Sequence, residues 1–324
     1  MSEDQEHRTG GSNDAGGVLR AADPLVVKVG GARAVDPAGA VADVADLVSE
    51  RPVVVVHGGS TAVDDHLEAV GIEPEYVETP GGVVGRFTDG ETMDAFTRTL
   101  AGEVNTDLVA TLQGAGVDAV GLSGVDGGLV SGPRKSAVRV LEDGKRKVRR
   151  GDHSGRVKSV NAHLLRTLMA GGYTPVVSPP MLGEDDGDRL AVNADADRVA
   201  AAVAAALSAE LVLLTDVDGV RRDPDDPGTV IDRVATPDDH GELRDAAEGF
   251  MTRKVMAATE ALEGGATGVV VADANADSPV IAALDGAGTR ITPGAVGDSD
   301  DAEGDPTGET GTDASETADE GAVR

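Results

Sequence analysis

Along the middle of this 324-residue chain, short apolar runs alternate with stretches of helical period. The runs at 25–29, 53–56, 117–122, 175–178, 211–214 and 268–272 are short and mostly rich in Val, which predicts strands buried on both faces. Between them the pattern predicts helices over 37–50, 61–70, 89–113, 159–170, 194–208 and 252–263, the fifth mostly Ala and Val. Residues 128–150 read as a hairpin region. Strands and helices in alternation predict an α/β fold, a three-layer αβα sandwich with a mainly parallel central sheet. In such sheets ligands lie beyond the carboxyl ends of the strands.

The two ends depart from the pattern. Residues 1–22 are rich in Gly, Ser, Asp and Glu, and 295–324 carry ten acids against one Arg with no aromatic residue. Both are too polar to bury anything, and we expect disordered acidic extensions flanking a domain at 23–294. With 40% apolar residues the chain can fill the core of one large domain or two lobes. A net charge of -30, Asp preferred over Glu, and five Phe and Tyr in all suggest a surface adapted to concentrated salt. The absence of Cys excludes disulfides, thiolate nucleophiles and Cys-based metal sites. No secretory segment or membrane-length apolar run occurs, so the expected location is the cytoplasm.

Chemistry gathers where the strands end. Leu25-Val26-Val27-Lys28-Val29-Gly30-Gly31 closes a strand with one of only six Lys among 28 basic residues. Such a lysine either caps a surface strand or delivers a compact charge to a ligand. Val53-Val54-Val55-Val56-His57-Gly58-Gly59-Ser60 runs straight into a helix, which turns backbone amides outward as an anion site. Neither loop fits the Walker or the dinucleotide-binding glycine pattern. His57 reads as a base or, better, as a hydrogen-bonding anchor of its loop.

Further on, Thr88 and Glu91 have capping-box spacing, which leaves Arg86 just outside a helix entrance. There it grips a carboxylate or pairs with a surface acid. In Asn193-Ala194-Asp195-Ala196-Asp197, Asn193 is a natural cap, and the two acids cannot share a helix face, so at most one points into a site. Arg253 and Lys254 fall near a helix start at about Thr252, where cations oppose the macrodipole and a bound phosphate would relieve them.

These motifs, with Thr215-Asp216-Val217-Asp218-Gly219 and Gly249–Lys254, occur in the order and spacing of the amino acid kinase family over about 24–293. The chain resembles acetylglutamate kinases, and most of all the branch that phosphorylates glutamate or 2-aminoadipate held on a small LysW-type carrier protein. Leu122–Gly127, Gly132–Lys135, Arg150–Gly155 and Arg253–Ala258 carry that closer likeness. Ser60 stands where acetylglutamate kinases usually have a third glycine.

The resemblance implies an amino-acid lobe at about 23–180 and a nucleotide lobe at about 181–294. It implies that Lys28 and Lys254 stabilise the transferring phosphoryl group and that Asp197 orients both. Gly58, Gly59 and Ser60 would cradle the reacting group, and Arg86 and Asn193 would hold the amino-acid end. Gly30, Gly31, Thr215, Asp216, Asp218 and Gly219 would take the nucleotide. ATP is implied, with Mg2+ bound mainly through its phosphates and no dedicated metal site, and the family suggests a homodimer.

One segment concerns a partner. Arg134, Lys135, Arg139, Lys145, Arg146, Lys147, Arg149 and Arg150 face only Glu142 and Asp143 along 133–150 of an otherwise acidic chain. No aromatic residues interleave to stack bases, which argues against nucleic acid. An acidic amino-group carrier protein fits better. The expected function is therefore an ATP-dependent carboxylate kinase acting on carrier-linked glutamate or aminoadipate, in arginine or lysine biosynthesis. Free N-acetylglutamate is the alternative substrate, and a non-catalytic amino-acid-sensing or nucleic-acid-binding protein on the same fold is a remoter one.

Overall fold

The computed structural model describes residues 23–30, 37–82, 84–142 and 144–297. Gly31, Asp143, the 1–22 extension and the tail from 298 onward lie outside the described residues.

In chain order, β1 (Leu25–Val29), α1 (Ala38–Leu47), β2 (Val53–His57) and α2 (Ser60–Ala69) lead into a small hairpin, β3 (Tyr76–Glu78) and β4 (Val84–Arg86). Helix α3 (Gly90–Thr97) passes through a π-helical segment, Arg98–Val104, into α4 (Asn105–Gly114). Next come β5 (Ala119–Gly124), the long hairpin of β6 (Val130–Glu142) and β7 (Lys145–Gly155), β8 (Ser159–Val160) and α5 (Ala162–Ala170). Strands β9 (Thr174–Asp185) and β10 (Asp188–Val192) precede α6 (Ala196–Leu207), β11 (Glu210–Thr215), β12 (Arg233–Val234) and α7 (Pro237–Ala246). Helix α8 (Gly249–Glu263), β13 (Gly268–Asp273), α9 (Pro279–Leu284) and β14 (Thr289–Ile291) complete the order.

The main sheet runs β12-β14-β13-β11-β1-β2-β9-β6-β7, with β5 and β10 also on β9 and β8 on β6. Its centre, from β13 through β11, β1 and β2 to β9, is parallel throughout. From β1 the chain continues to β2 on one side, while β11 lies on the other. That makes the end of β1 the topological switch point, where open parallel sheets take their ligands.

Side chains alternate across the sheet and assign each strand residue to a layer. Leu25, Val27, Val29, Val53 and Val55 pack with Val41, Val44, Leu108 and Val280, so α1, α4 and α9 cover that face. Val26, Val54 and Val56 turn the other way, into a core with Val199, Val203, Ala257 and Ala261 of α6 and α8. Each such residue removed from water contributes about 1.5–3 kcal/mol. The same alternation fixes the polar residues. Lys28 shares the parity of Val26 and faces the α6 layer, while His57 shares that of Val53 and Val55 and faces α4.

The structure departs from the sequence expectation in several places. The helix over 89–113 is interrupted by the π-helical segment. Strand 175–178 extends to Asp185, because its later half pairs with β10 and β6. The short elements β3, β4, β10, β12, β14, α7 and α9 were not anticipated.

Candidate active site

Two lysines from opposite ends of the chain converge on one carboxylate. Lys28 Nζ lies 2.6 Å from Asp197 Oδ1, and Lys254 Nζ lies 3.1 Å from Asp197 Oδ2. The Lys254 contact is a hydrogen bond, and Lys28 makes a close ion contact with Oδ1. Lys28 and Asp197 are buried, at 6% and 8% exposure. Burial opposes ionisation of Asp197, but the two ammonium groups outweigh it and hold the carboxyl well below the usual carboxylate range. Burial lowers Lys254, repulsion from Lys28 adds to that, and Asp197 pulls the other way. Two positive charges against one negative leave an excess of one positive charge, which favours an anion at this point.

Local structure explains why Asp197, and not Asp195, joins the lysines. Asp195 is the N-cap of α6, and its Oδ1 accepts from Asp197 N at 3.0 Å and Arg198 N at 3.1 Å. Asp197 stands in the first turn, where the helix dipole favours a carboxylate. Asn193, which the sequence suggested as the cap, instead donates to Thr88 Oγ1 at 2.9 Å. Likewise the cap of α3 is Asp89, which accepts from Thr92 N, and Thr88 is not part of a capping box. Helix α8 starts at Gly249, which places Arg253 and Lys254 in its second turn, past the reach of the dipole argument made from the sequence.

The Gly-Gly-Ser turn lies beside β1, since Val29 and His57 are register partners. Gly58 N donates to Val29 O at 3.4 Å, so this amide is already engaged. Among the described residues no acceptor is recorded for the amides of Gly59 and Ser60, at the N-terminus of α2. Gly59 has φ 157°, and a Cβ there would stand 2.5 Å from Leu100 Cδ2, so the π-helical segment seals the back of the turn against a side chain. His57 has both ring nitrogens engaged, Nδ1 with Gly58 O at 2.9 Å and Nε2 with Asn105 Nδ2 at 2.9 Å, as a loop anchor would. Burial lowers its pKa from 6.5 to about 4, the Gly58 hydrogen bond resists this and Lys28 assists it, so the ring is neutral at physiological pH.

Arg86 is more engaged than the sequence suggested. Its Nη2 donates to Ser60 O at 2.9 Å, Asp64 Oδ1 at 2.6 Å and Tyr76 Oη at 3.1 Å. Its Nε is buried and has no partner. Of the residues the resemblance assigned to the nucleotide, Gly30 directly follows β1 and Thr215 ends β11, the strand that pairs with β1 in parallel and sets Lys28 opposite Leu213. Thr215 Oγ1 donates to Asp216 Oδ1 at 3.1 Å, and Asp218 Oδ1 accepts from Arg221 Nε at 2.8 Å. Gly219 packs against Thr289 and Val230. No cluster of three or more potential metal ligands occurs among the described residues.

The basic hairpin is rooted at this site. His153 N donates to Thr88 O at 2.7 Å, and the buried Asp152 accepts from Thr88 N at 3.1 Å. Arg134 donates to Asp152 O and Asp185, Arg149 grips Glu75 with both nitrogens and lies 4.3 Å from the Phe87 ring centroid, and Lys147 pairs with Glu142. Lys135, Arg139, Lys145, Arg146 and Arg150 are exposed, with no acidic partner among the described residues. Sequence reasoning missed Thr88, Asp152 and Asn105 as site-building residues. For Asn105 a signal existed, an amide of poor helix propensity in the middle of a predicted helix.

A parallel α/β sheet whose switch point carries two lysines on one aspartate defines a phosphotransferase-type site. Residues 23–273 match the amino acid kinase family, and the chain belongs to that family. A LysW-aminoadipate kinase of Thermus thermophilus is 43% identical over 274 residues, covering 82% of this chain and 99% of the relative. An acetylglutamate kinase of Methanopyrus kandleri is 43% identical over 249 residues, covering 76% and 93%. Among solved structures, N-acetylglutamate synthase from Neisseria gonorrhoeae, complexed with coenzyme A and N-acetyl-glutamate, superposes with TM-score 0.66 at 25% identity. The match covers 83% of this chain and 59% of the synthase, so the chain spans about three-fifths of that protein's length.

Proposed function

We propose that the protein transfers the terminal phosphoryl group of ATP to the side-chain carboxylate of glutamate or 2-aminoadipate while an acidic LysW-type carrier protein holds the substrate's amino group. The reaction belongs to arginine or lysine biosynthesis in the cytoplasm. The observation that carries the reading is the convergence of Lys28 and Lys254 on Asp197.

The chemistry needs cations and no base. A carboxylate oxygen is already anionic at neutral pH; it attacks phosphorus, the bond to the ADP oxygen breaks, and an acyl phosphate and ADP result. Two anions approach in line, so the barrier is dominated by repulsion and by charge spread over the phosphoryl oxygens. At 4 Å and an effective dielectric near 20, each lysine is worth about 4 kcal/mol against such a charge. Asp197 keeps both ammonium groups in place, and the Gly59 and Ser60 amides supply neutral donors. Mg2+ bound to the nucleotide phosphates would neutralise further charge, and it needs few protein ligands there. In this reading 23–180 takes the amino-acid end and 181–294 the nucleotide end, with Gly30, Thr215, Asp216, Asp218 and Gly219 lining the latter. Arg86, through its unpartnered Nε, and Asn193 stand at the substrate end. The exposed Lys135, Arg139, Lys145, Arg146 and Arg150 offer an acidic carrier its docking surface, and charge complementarity in a chain of net charge -30 supports that partner.

The M. kandleri relative supports a second reading, phosphorylation of free N-acetylglutamate. Hydroxylamine trapping of the acyl phosphate separates the two, with ATP, magnesium and carrier-linked glutamate, carrier-linked aminoadipate or free acetylglutamate. Hydroxamate should form with a carrier-linked substrate in the wild type and be lost in Lys28→Ala. Hydroxamate from free acetylglutamate alone would overturn the carrier, and undiminished turnover in Lys28→Ala would overturn the site.

A further inference from the structure

In the Gly-Gly-Ser turn the Gly59 amide is turned outward, and a buried relay stands behind it. Asn105 is the first residue of α4, directly after the π-helical segment, and is 6% exposed. Its Nδ2 contacts two acceptors, Val176 O at 3.1 Å and His57 Nε2 at 2.9 Å. A donor facing Nε2 leaves the neutral imidazole one place for its proton, Nδ1. Nδ1–H then donates to Gly58 O at 2.9 Å. The peptide joining Gly58 to Gly59 is planar and trans, so its carbonyl and N–H point in opposite directions. Drawing Gly58 O toward the ring turns Gly59 N–H away from it, and no acceptor among the described residues claims that N–H.

The surroundings are built around Asn105. A Cβ on Gly121 would stand 2.1 Å from Asn105 Oδ1, so β5 leaves room for this one amide. Lys28 on β1 is the charged group that acts on the ring; α4 presents Asn105 to it and β9 presents only the Val176 carbonyl, through Asn105.

We propose that Asn105 and His57 are positioning residues for phosphoryl transfer. Asn105 selects the Nδ1–H tautomer of His57, and that N–H aims the Gly59 amide, the first of the two in the cradle, at the transferring group. The inference rests on the kinase reading above, in which those amides cradle the reacting group.

Two pairs of measurements test it. The side-chain amide of Asn places a donor near the position of imidazole Nδ1, whereas that of Gln places it near Nε2. His57→Asn should keep kcat within about fivefold of wild type, and His57→Gln should lose about 30-fold or more with the KM for ATP unchanged, in line with the loss of an oxyanion donor. Asn105→Asp turns the donor at Nε2 into an acceptor. Its imidazole keeps Nδ1–H only while protonated, so kcat should fall as pH rises through the near-neutral range, where the wild type is flat. Equal kcat in the two His57 variants, or a flat profile in Asn105→Asp, overturns the inference and leaves the kinase reading standing. A wild type that forms no hydroxamate with any of the three acceptors overturns both together.

Discussion

Asp197 sets the charge state of the site by standing between two lysines that would otherwise repel each other. Its own pKa is depressed, so its stabilising contribution is present above the usual carboxylate range and is lost only as pH falls through the depressed value in strong acid. Lys254 is the sensitive partner, because burial and Lys28 lower its pKa while Asp197 raises it. As an ammonium it serves transfer, so turnover should fall as pH rises through its lowered pKa. Asp197→Asn removes the attraction, and the alkaline limb of kcat should move down by about one pH unit or more, one unit corresponding to about 1.36 kcal/mol. A limb at unchanged or higher pH would remove Asp197 from this role. The pairing was only partly legible in the sequence. That at most one of Asp195 and Asp197 enters a site follows from helix geometry; which one follows from the cap, and the sequence pointed to Asn193 for that. The His57–Asn105 contact spans 48 residues, and nothing local to either one announces it.

At the scale of elements, the β6–β7 hairpin has two different faces. Register pairs Arg139 with Val148 and Leu141 with Arg146, so these residues and Arg150 share one face, on which Val148 is 61% exposed and Leu141 37%. On the other face Val140 is buried, Arg149 covers Phe87 and Lys147 is held by Glu142. Three of the free cations, Arg139, Arg146 and Arg150, thus share a face with an exposed apolar pair, the composition of a protein-docking patch. Arg146→Glu with Arg150→Glu should raise the KM for the carrier-linked substrate more than about tenfold while sparing that for ATP, because rim charges act on encounter and not on the nucleotide. An unchanged carrier KM would place docking elsewhere. The hairpin was legible from its charge; its two faces were not, because they depend on register. Strands β1, β2, β11 and β13 could be read from their unbroken Val and Leu runs. Three-residue strands such as Tyr76–Glu78 carry no such pattern and exist because a neighbour pairs with them.

For the whole molecule, the acid excess lies outside the site. The core is apolar and the lysine pair holds a local positive excess, so most of the -30 charge acts by self-repulsion across the surface. Repulsion of this kind is long-ranged and therefore screenable, the Debye length falling from about 10 Å at 0.1 M salt to about 3 Å at 1 M. The Lys28–Asp197–Lys254 contacts, at 2.6 and 3.1 Å, are far shorter than the first length, close to the second, and shielded from solvent, so salt weakens them far less. Stability should accordingly rise with KCl between 0.1 M and 2 M, with a gain in Tm that a neutral osmolyte at equal osmolality does not reproduce. If KCl and the osmolyte act alike, the gain comes from preferential exclusion and not from screened charge. The carrier docking proposed for the hairpin faces the opposite demand, since salt that relieves the surface also weakens steering toward it. If the carrier docks on the hairpin as proposed, binding should survive at 2 M KCl through contact ion pairs at Arg139, Arg146 and Arg150 together with burial of Leu141 and Val148, a patch whose apolar half salt does not screen, and binding in high salt that Leu141→Ser with Val148→Ser leaves unchanged would place docking elsewhere.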